Sequence, residues 1–168
     1  MKRTFASLDP QEALHLAIAI EERNESIYRH SAEMFDEFGD KESLEIASVF
    51  WEMSAEEKNH ASLLRGKYED RYGTSSCALT EEDISEFIEA PRLENGDFFA
   101  ISLSRSEARN RVLRVALNAE SAAHHFYSSL AESSQAGPAR QLYVELANLE
   151  ENHVKYLEQK LTAQVLAS

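Results

Sequence analysis

Cysteine, glycine and proline are all scarce in this chain of 168 residues, which has one Cys, five Gly and three Pro. The single Cys77 excludes a disulfide framework within the chain and a metal knuckle built from four cysteines. The low glycine and proline content, together with abundant Ala, Glu and Leu, favours helices over a sheet. The length is enough for one domain with a sizeable core.

Basic residues and long apolar runs are also in short supply. The 30 acidic residues outnumber the 17 basic ones, and the net charge is −13. Most of the acids are expected on solvated helix faces, but the charge also repels polyanions and attracts metal cations, so we expect no nucleic-acid partner. No stretch reaches the length of a membrane span, and no signal peptide is visible. We therefore expect a cytoplasmic protein without a membrane partner.

Capping residues and apolar stripes predict four long helices. Asp9-Pro10 begins the first helix, and Gly39 ends it before Asp40 caps the second. Ser104-Arg105-Ser106-Glu107 is a capping box that opens the third helix, and Pro138 suits the first turn of the fourth. The predicted helices cover about residues 10–38, 40–68, 104–133 and 138–165.

The four helices are predicted to form two antiparallel hairpins joined by a crossover over about residues 69–103. Within it, Thr80-Glu81-Glu82-Asp83 is expected to start a short helix. The link is long for a simple up-down-up-down bundle. We therefore predict an all-α four-helix bundle, with residues 1–168 as a single domain and the two hairpin turns at opposite ends.

A pattern of glutamate and histidine repeats in the two hairpins. Glu57 and His60 form a Glu-x-x-His motif in the second helix, and Glu150 and His153 form another in the fourth. Residues i and i+3 lie about 5–6 Å apart on one helix face, so one metal ion is able to contact both. The helix before each motif carries a further Glu with a Tyr seven residues later, namely Glu21 with Tyr28 and Glu120 with Tyr127. Four carboxylates and two imidazoles at these spacings are what a helical bundle needs to hold two metal ions.

The glutamates are also matched in height within each hairpin. Glu21 and Glu57 are each 18 residues from Gly39. Glu120 and Glu150 are each 15 residues from the middle of the second predicted loop. Antiparallel helices rise equally per residue, so each pair is expected to share a level. Helix stability does not require this match, which therefore indicates a shared site.

The apolar stripes decide which acid of each adjacent pair faces inward. They select the glutamates named above and leave Glu22, Glu56 and Glu151 facing outward. A third Glu-x-x-His match, Glu12 with His15, is interpreted as a helix cap followed by an ordinary polar histidine.

Oxygen and nitrogen ligands without thiolate suit iron(II), manganese(II) or zinc, and two divalent ions balance four carboxylates. Metal binding is therefore expected to stabilise the fold. Glu25 and His124 stay open as extra ligands or as groups that hydrogen-bond the ligands. Tyr28 and Tyr127 are most simply core aromatics, and as functional groups they would hydrogen-bond a ligand carboxylate.

Four segments carry a family resemblance. They are Ala19-Ile20-Glu21, Ala55-Glu56-Glu57-Lys58-Asn59-His60-Ala61, Glu120-Ser121-Ala122-Ala123-His124-His125-Phe126-Tyr127 and Leu149-Glu150-Glu151-Asn152-His153. These segments resemble the four ligand helices of the rubrerythrin branch of the ferritin-like di-iron carboxylate superfamily. The resemblance implies bridging carboxylates at Glu57 and Glu150, terminal carboxylates at Glu21 and Glu120, and one imidazole per metal from His60 and His153.

The chain departs from that family at two points. Rubrerythrins carry an additional ligand Glu three residues after the third-helix Glu, where this chain has Ala123, so its ligand set looks closer to that of bacterioferritin. The Cys-rich iron domain of full rubrerythrins is absent from the sequence, so an external electron donor is expected.

The resemblance implies a di-iron oxidoreductase that reduces hydrogen peroxide or dioxygen. Zinc and manganese stay open as alternatives to iron in a recombinant crystal, because they accept the same ligands. The alternatives are an iron-binding protein without turnover, including a ferroxidase or storage type, and an interaction module that merely inherits these residues. A homodimer is the expected assembly.

Overall fold

A computed structural model describes residues 5–74, 77–87 and 104–166. Five α-helices make up most of the described chain: α1 (Pro10–Phe38), α2 (Lys41–Tyr72), α3 (Glu81–Phe87), α4 (Arg105–Ser133) and α5 (Pro138–Leu166). A single 3-10 turn, Phe5–Ser7, precedes them. The predicted all-α class is confirmed. None of the helices in the described ranges is both long and apolar enough to cross a membrane.

The chain divides into two compact units, residues 1–89 and 90–168. The first unit contains the hairpin of α1 and α2 together with α3, and the second contains the hairpin of α4 and α5. The single domain predicted for residues 1–168 and the opposite placement of the two hairpin turns stay predictions.

Capping residues set both ends of α1, the first helix of the first hairpin. Asp9 accepts hydrogen bonds from the backbone N–H groups of Gln11 and Glu12, and the Glu12 carboxylate accepts one from the N–H of Asp9. This reciprocal capping box satisfies N–H groups that the first helical turn leaves without partners. Gly39 ends α1 at φ +67, a left-handed conformation that a residue with a side chain rarely adopts. The role of Glu12 as a capping residue is thus confirmed.

Contacts along the first hairpin establish its antiparallel register. The Trp51 ring N–H donates to the Asp36 carboxylate near the turn, at 2.9 Å. Far from the turn, the Gln11 amide donates to the Tyr68 hydroxyl, also at 2.9 Å. Between these contacts lies a buried row of stacked rings, Tyr28, Phe50 and Phe35, with centroids 5.6–5.9 Å apart. Ring packing of this kind stabilises the hairpin at the level next to the predicted ligands.

α2 is about one turn longer than the sequence predicted: it ends at Tyr72, whereas the prediction ended it near Tyr68. No glycine or proline interrupts residues 68–72, and the helix stops where Gly73 adopts φ +59. The Tyr68 and Tyr72 rings lie 5.3 Å apart, which packs the additional turn against its neighbour. The signal that marks the true end is Gly73 itself.

The short helix predicted in the crossover is present as α3. Thr80 caps it, because its hydroxyl accepts from the N–H of Asp83 while the Asp83 carboxylate accepts from the N–H of Thr80. Residues 75–76 and 88–103 of the predicted crossover lie outside the described residues.

The second hairpin repeats the design of the first. Ser104 and Glu107 form the predicted capping box at the start of α4. The Arg109 side chain donates to the Gln164 side chain at 3.3 Å, far from the turn, which fixes the antiparallel register of α4 and α5. Both helices carry buried apolar side chains: Leu113, Ala116, Phe126, Tyr127, Leu130, Tyr143, Leu146 and Leu157.

Candidate metal centre

The first hairpin brings Glu21 of α1 together with Glu57 and His60 of α2. Both carboxylates are completely buried, and the His60 side chain is 14 % exposed. His60 Nδ1 lies 3.1 Å from a carboxylate oxygen of Glu21. The three side chains each offer one ligand atom, and these atoms lie within 4.8 Å of one another. Glu57 and His60 meet because they are three residues apart, and Glu21 joins them because it lies at the same height across the hairpin.

The second hairpin contains an equivalent set, Glu120 of α4 with Glu150 and His153 of α5. Both carboxylates are again fully buried, and the His153 side chain is 12 % exposed. His153 Nδ1 lies 3.3 Å from Glu120 and 3.8 Å from Glu150. The ligand atoms of these three side chains also lie within 4.8 Å of one another. The two hairpins therefore carry the same three groups in the same relative positions, as the sequence repeat predicts.

The choice of inward-facing acids is confirmed at each adjacent pair. Glu56, next to the buried Glu57, is exposed. The Glu22 side chain is 42 % exposed and forms an ion pair with Arg65 on the surface of the hairpin. Glu151 is half-exposed and pairs with Lys155, which lowers the pKa of its carboxyl group.

His153 has a strongly perturbed pKa. Burial of the ring favours the neutral form, but hydrogen bonds and negative charge from Glu120 and Glu150 outweigh it and raise the pKa from 6.5 to about 11. Without a metal ion, the imidazolium of His153 thus partly neutralises the two carboxylates. A divalent cation would take over that role, because it binds the neutral ring and the carboxylates together.

Each hairpin also has a hydrogen bond between its two helices, here called its cross-link, about one helical turn away from its ligands. Four residues after Glu21, the Glu25 carboxylate accepts from the Ser54 hydroxyl at 3.5 Å, and Ser54 lies three residues before Glu57. The Glu25 carboxylate also forms an ion pair with Arg29 at 3.2 Å. This cross-link therefore connects α1 to α2 beside the ligand set.

The second hairpin has its cross-link at the same two positions. Four residues after Glu120, the His124 ring donates from Nδ1 to the backbone carbonyl of Ala147 at 2.9 Å, and Ala147 lies three residues before Glu150. A backbone carbonyl only accepts hydrogen bonds, so Nδ1 of His124 carries the proton. The sequence left Glu25 and His124 open as ligands or supporting groups; in the structure both join the two helices of their own hairpin. Their partners Ser54 and Ala147 were not predicted. Each lies three residues before the Glu of a Glu-x-x-His motif, and this shared spacing was the sequence signal that could have identified them.

Tyr28 and Tyr127, each seven residues after a ligand Glu, are core residues. Tyr28 and Tyr127 are completely buried, and Tyr28 stacks on Phe50 while Tyr127 packs against Phe126 at 5.1 Å. His15, from the third Glu-x-x-His match, lies 6.1 Å from the Tyr68 ring and away from the ligand set. These placements agree with the simpler interpretation of each residue.

Comparison with known protein families finds a matching family model. The model of the rubrerythrin family matches residues 12–96, which is just over half of the sequence and includes Glu21, Glu57 and His60. The chain belongs to the rubrerythrin family. This membership confirms the resemblance predicted from the ligand segments and the ferritin-like class of the fold. No match was found among curated proteins or among solved structures.

The donor set fits the metal ions that rubrerythrin family membership implies. Two atoms bound about 2.1 Å from a common ion lie about 3.0–3.4 Å apart in octahedral or tetrahedral geometry. The His60–Glu21 and His153–Glu120 separations of 3.1 and 3.3 Å fall in that range. Carboxylate oxygen with imidazole nitrogen suits iron(II), manganese(II) and zinc, and the described residues add no cysteine to either set.

Proposed function

We propose that the two ligand sets act together as one di-iron centre, and that the protein is an oxidoreductase reducing hydrogen peroxide or dioxygen. The observation that supports this most is the duplicated set itself: each hairpin places two buried carboxylates and one imidazole within 4.8 Å of one another. Two iron ions would balance four carboxylates. In this proposal Glu21, Glu57, Glu120 and Glu150 would hold the ions with their carboxylates, and His60 and His153 would each supply one imidazole.

Bound iron would supply two electrons, so that iron(II) is oxidised to iron(III) while hydrogen peroxide and two protons become two molecules of water. The chain contributes ligand geometry and exclusion of bulk water. The carboxylates are fully buried and the two imidazoles are only 12–14 % exposed, so only a small oxidant reaches them. The cross-links Glu25–Ser54 and His124–Ala147 hold the helices of each hairpin in register beside the ligands. An external donor would return the iron to its reduced state.

Rapid mixing of the iron(II)-loaded protein with hydrogen peroxide tests the proposal. We expect oxidation much faster than that of free iron(II) at the same concentration. The variants His60→Ala and Glu150→Ala should each lose a substantial part of the bound iron and of the fast phase. The matched variants Glu12→Ala and His15→Ala should keep both, since these residues form a helix cap and a surface ring contact. Oxidation no faster than that of free iron, or full iron occupancy in His60→Ala, would reject the proposal.

Iron storage or ferroxidase activity is the second candidate, because it uses the same donors. Ferritin-type storage requires a closed shell of many subunits. Gel filtration separates the two, since a very large particle indicates storage and a homodimer, as we propose, does not. A protein that serves only as an interaction module would contain almost no metal after expression in iron-rich medium.

A further inference from the structure

Asn24 is a buried amide one helical turn after Glu21, a member of the first ligand set. It lies on α1 three residues after Glu21, and only 1 % of its surface is exposed. Its Nδ2 atom has no hydrogen-bond partner among the residues that the structure describes. A buried donor left without a partner costs about 1–3 kcal/mol, so such a group in a native protein calls for a reason.

Asn24 lies on the same helix face as the ligand Glu21. Asn24 and Glu25 follow Glu21 by three and four residues and flank it on the two sides of one helix face. Glu25 uses its side of that face to contact Ser54 of α2. Asn24 therefore occupies the other side, next to Glu21 and away from the cross-link. At the corresponding position of the second hairpin, three residues after Glu120, the chain has the buried Ala123, which offers no donor.

The chemistry of the ligand set explains why a donor would be useful there. Ionised carboxylates only accept hydrogen bonds, and an imidazole that binds a metal through one nitrogen directs that nitrogen at the ion. The proposed ligands thus leave a small anion without a hydrogen-bond donor of its own. A neutral amide N–H supplies one without adding charge and without competing with carboxylates as a metal ligand.

We propose that Asn24 is a positioning residue whose amide N–H donates a hydrogen bond to a small anion or to peroxide bound beside the metal ions. This inference rests on the proposed di-metal function. It also assigns the two hairpins different roles, because only the first carries a donor at this position.

Azide titration of the iron(III)-loaded protein tests the assignment without measuring turnover. Asn24→Leu keeps the size of the side chain and removes the donor, and Asn24→Ala serves as a second variant. We expect each to bind azide about tenfold more weakly than the parent, the size of effect that one lost hydrogen bond to an ion produces. The iron content should stay at the parent level. Asn118→Leu, on the exposed surface of α4, is the matched control and should leave azide affinity unchanged.

Unfolding of the metal-free protein provides a second readout. Removing a buried donor that has no partner should raise the urea midpoint of Asn24→Leu above that of the parent. A lowered midpoint with unchanged azide affinity would assign Asn24 to a structural hydrogen bond and overturn the inference. Iron binding with azide affinity equal in parent and variants would overturn this inference alone. A parent protein that binds no iron would overturn the proposed function together with it.

Discussion

Replacing Glu57 by glutamine removes one negative charge from a fully buried position without changing the size of the side chain. The change should have opposite effects in the two forms of the protein. Metal-free Glu57→Gln should be more stable than the parent, because repulsion between buried carboxylates is relieved. The metal-loaded variant should be less stable than the metal-loaded parent, because a ligand has been lost.

The size of the first effect follows from the geometry of the first hairpin. The ligand atoms of Glu57 and Glu21 lie within 4.8 Å of each other. Two like charges at that distance repel by about 3.5 kcal/mol at an effective dielectric constant of about 20. This repulsion is the largest gain that the substitution can give, so we expect Glu57→Gln to gain about 1–3 kcal/mol. For a chain of this length each kcal/mol raises the melting temperature by about 2–4 °C.

The second effect is set by metal binding. Free iron(II) at a hundred times its dissociation constant stabilises the parent by about 2.7 kcal/mol, or about 5–10 °C. Glu57→Gln should lose most of that gain. Thermal unfolding of parent and variant, in chelator and in anaerobic iron(II), measures both effects in one experiment.

The adjacent exposed residue provides the matched control. Glu56→Gln removes the same charge one position away, at an exposed site of α2, and should change either melting temperature by less than about 2 °C. A metal-free Glu57→Gln variant that melts at or below the parent temperature would refute the claim that the buried carboxylates repel one another. Equal stabilisation of parent and variant by iron(II) would refute the role of Glu57 as a ligand.

Two further predictions concern the second hairpin. Because the pKa of His153 is raised from 6.5 to about 11, its charge stabilises the metal-free fold below pH 6.5, and this contribution declines as the pH rises toward 11. Metal requires the neutral ring, so iron(II) affinity should rise about tenfold per pH unit between pH 7 and 9; a flat profile by calorimetry would contradict this. His124→Ala breaks the hydrogen bond to Ala147 and should lower the free energy of unfolding by about 1 kcal/mol at unchanged metal content. Exposed His125→Ala is its control, and metal loss in His124→Ala would make His124 a ligand.

Three helix bounds were predictable because a capping box or a left-handed glycine lies directly at the bound. Asp9 with Glu12, Gly39, and Ser104 with Glu107 all act locally, so the few residues around each bound contain the whole signal. The end of α2 was placed too early because the apolar stripe fades before the helix does. Only Gly73 stops it there.

The ligand positions within each hairpin were predicted by counting residues from the turn, which needs no knowledge of side-chain conformation. Equal distance from a turn gives equal height, and an apolar stripe gives direction, which together place Glu21 beside His60. The hydrogen bond from Ser54 to Glu25 depends on side-chain reach, and the acceptor at Ala147 is a backbone carbonyl that no side chain reveals. The buried amide of Asn24 has no counterpart in the second hairpin, where the corresponding residue is Ala123, so the sequence repeat does not signal it.

Anomalous diffraction at the iron edge, from crystals of protein grown in iron-rich medium, measures the number and position of the metal ions directly. We expect two ions per chain, one contacted by His60 and the other by His153, with Glu57 and Glu150 shared between them. Crystals with no anomalous peak at either ligand set, or with ions bound only at exposed acids, would contradict the proposal that the two hairpins form one di-metal centre.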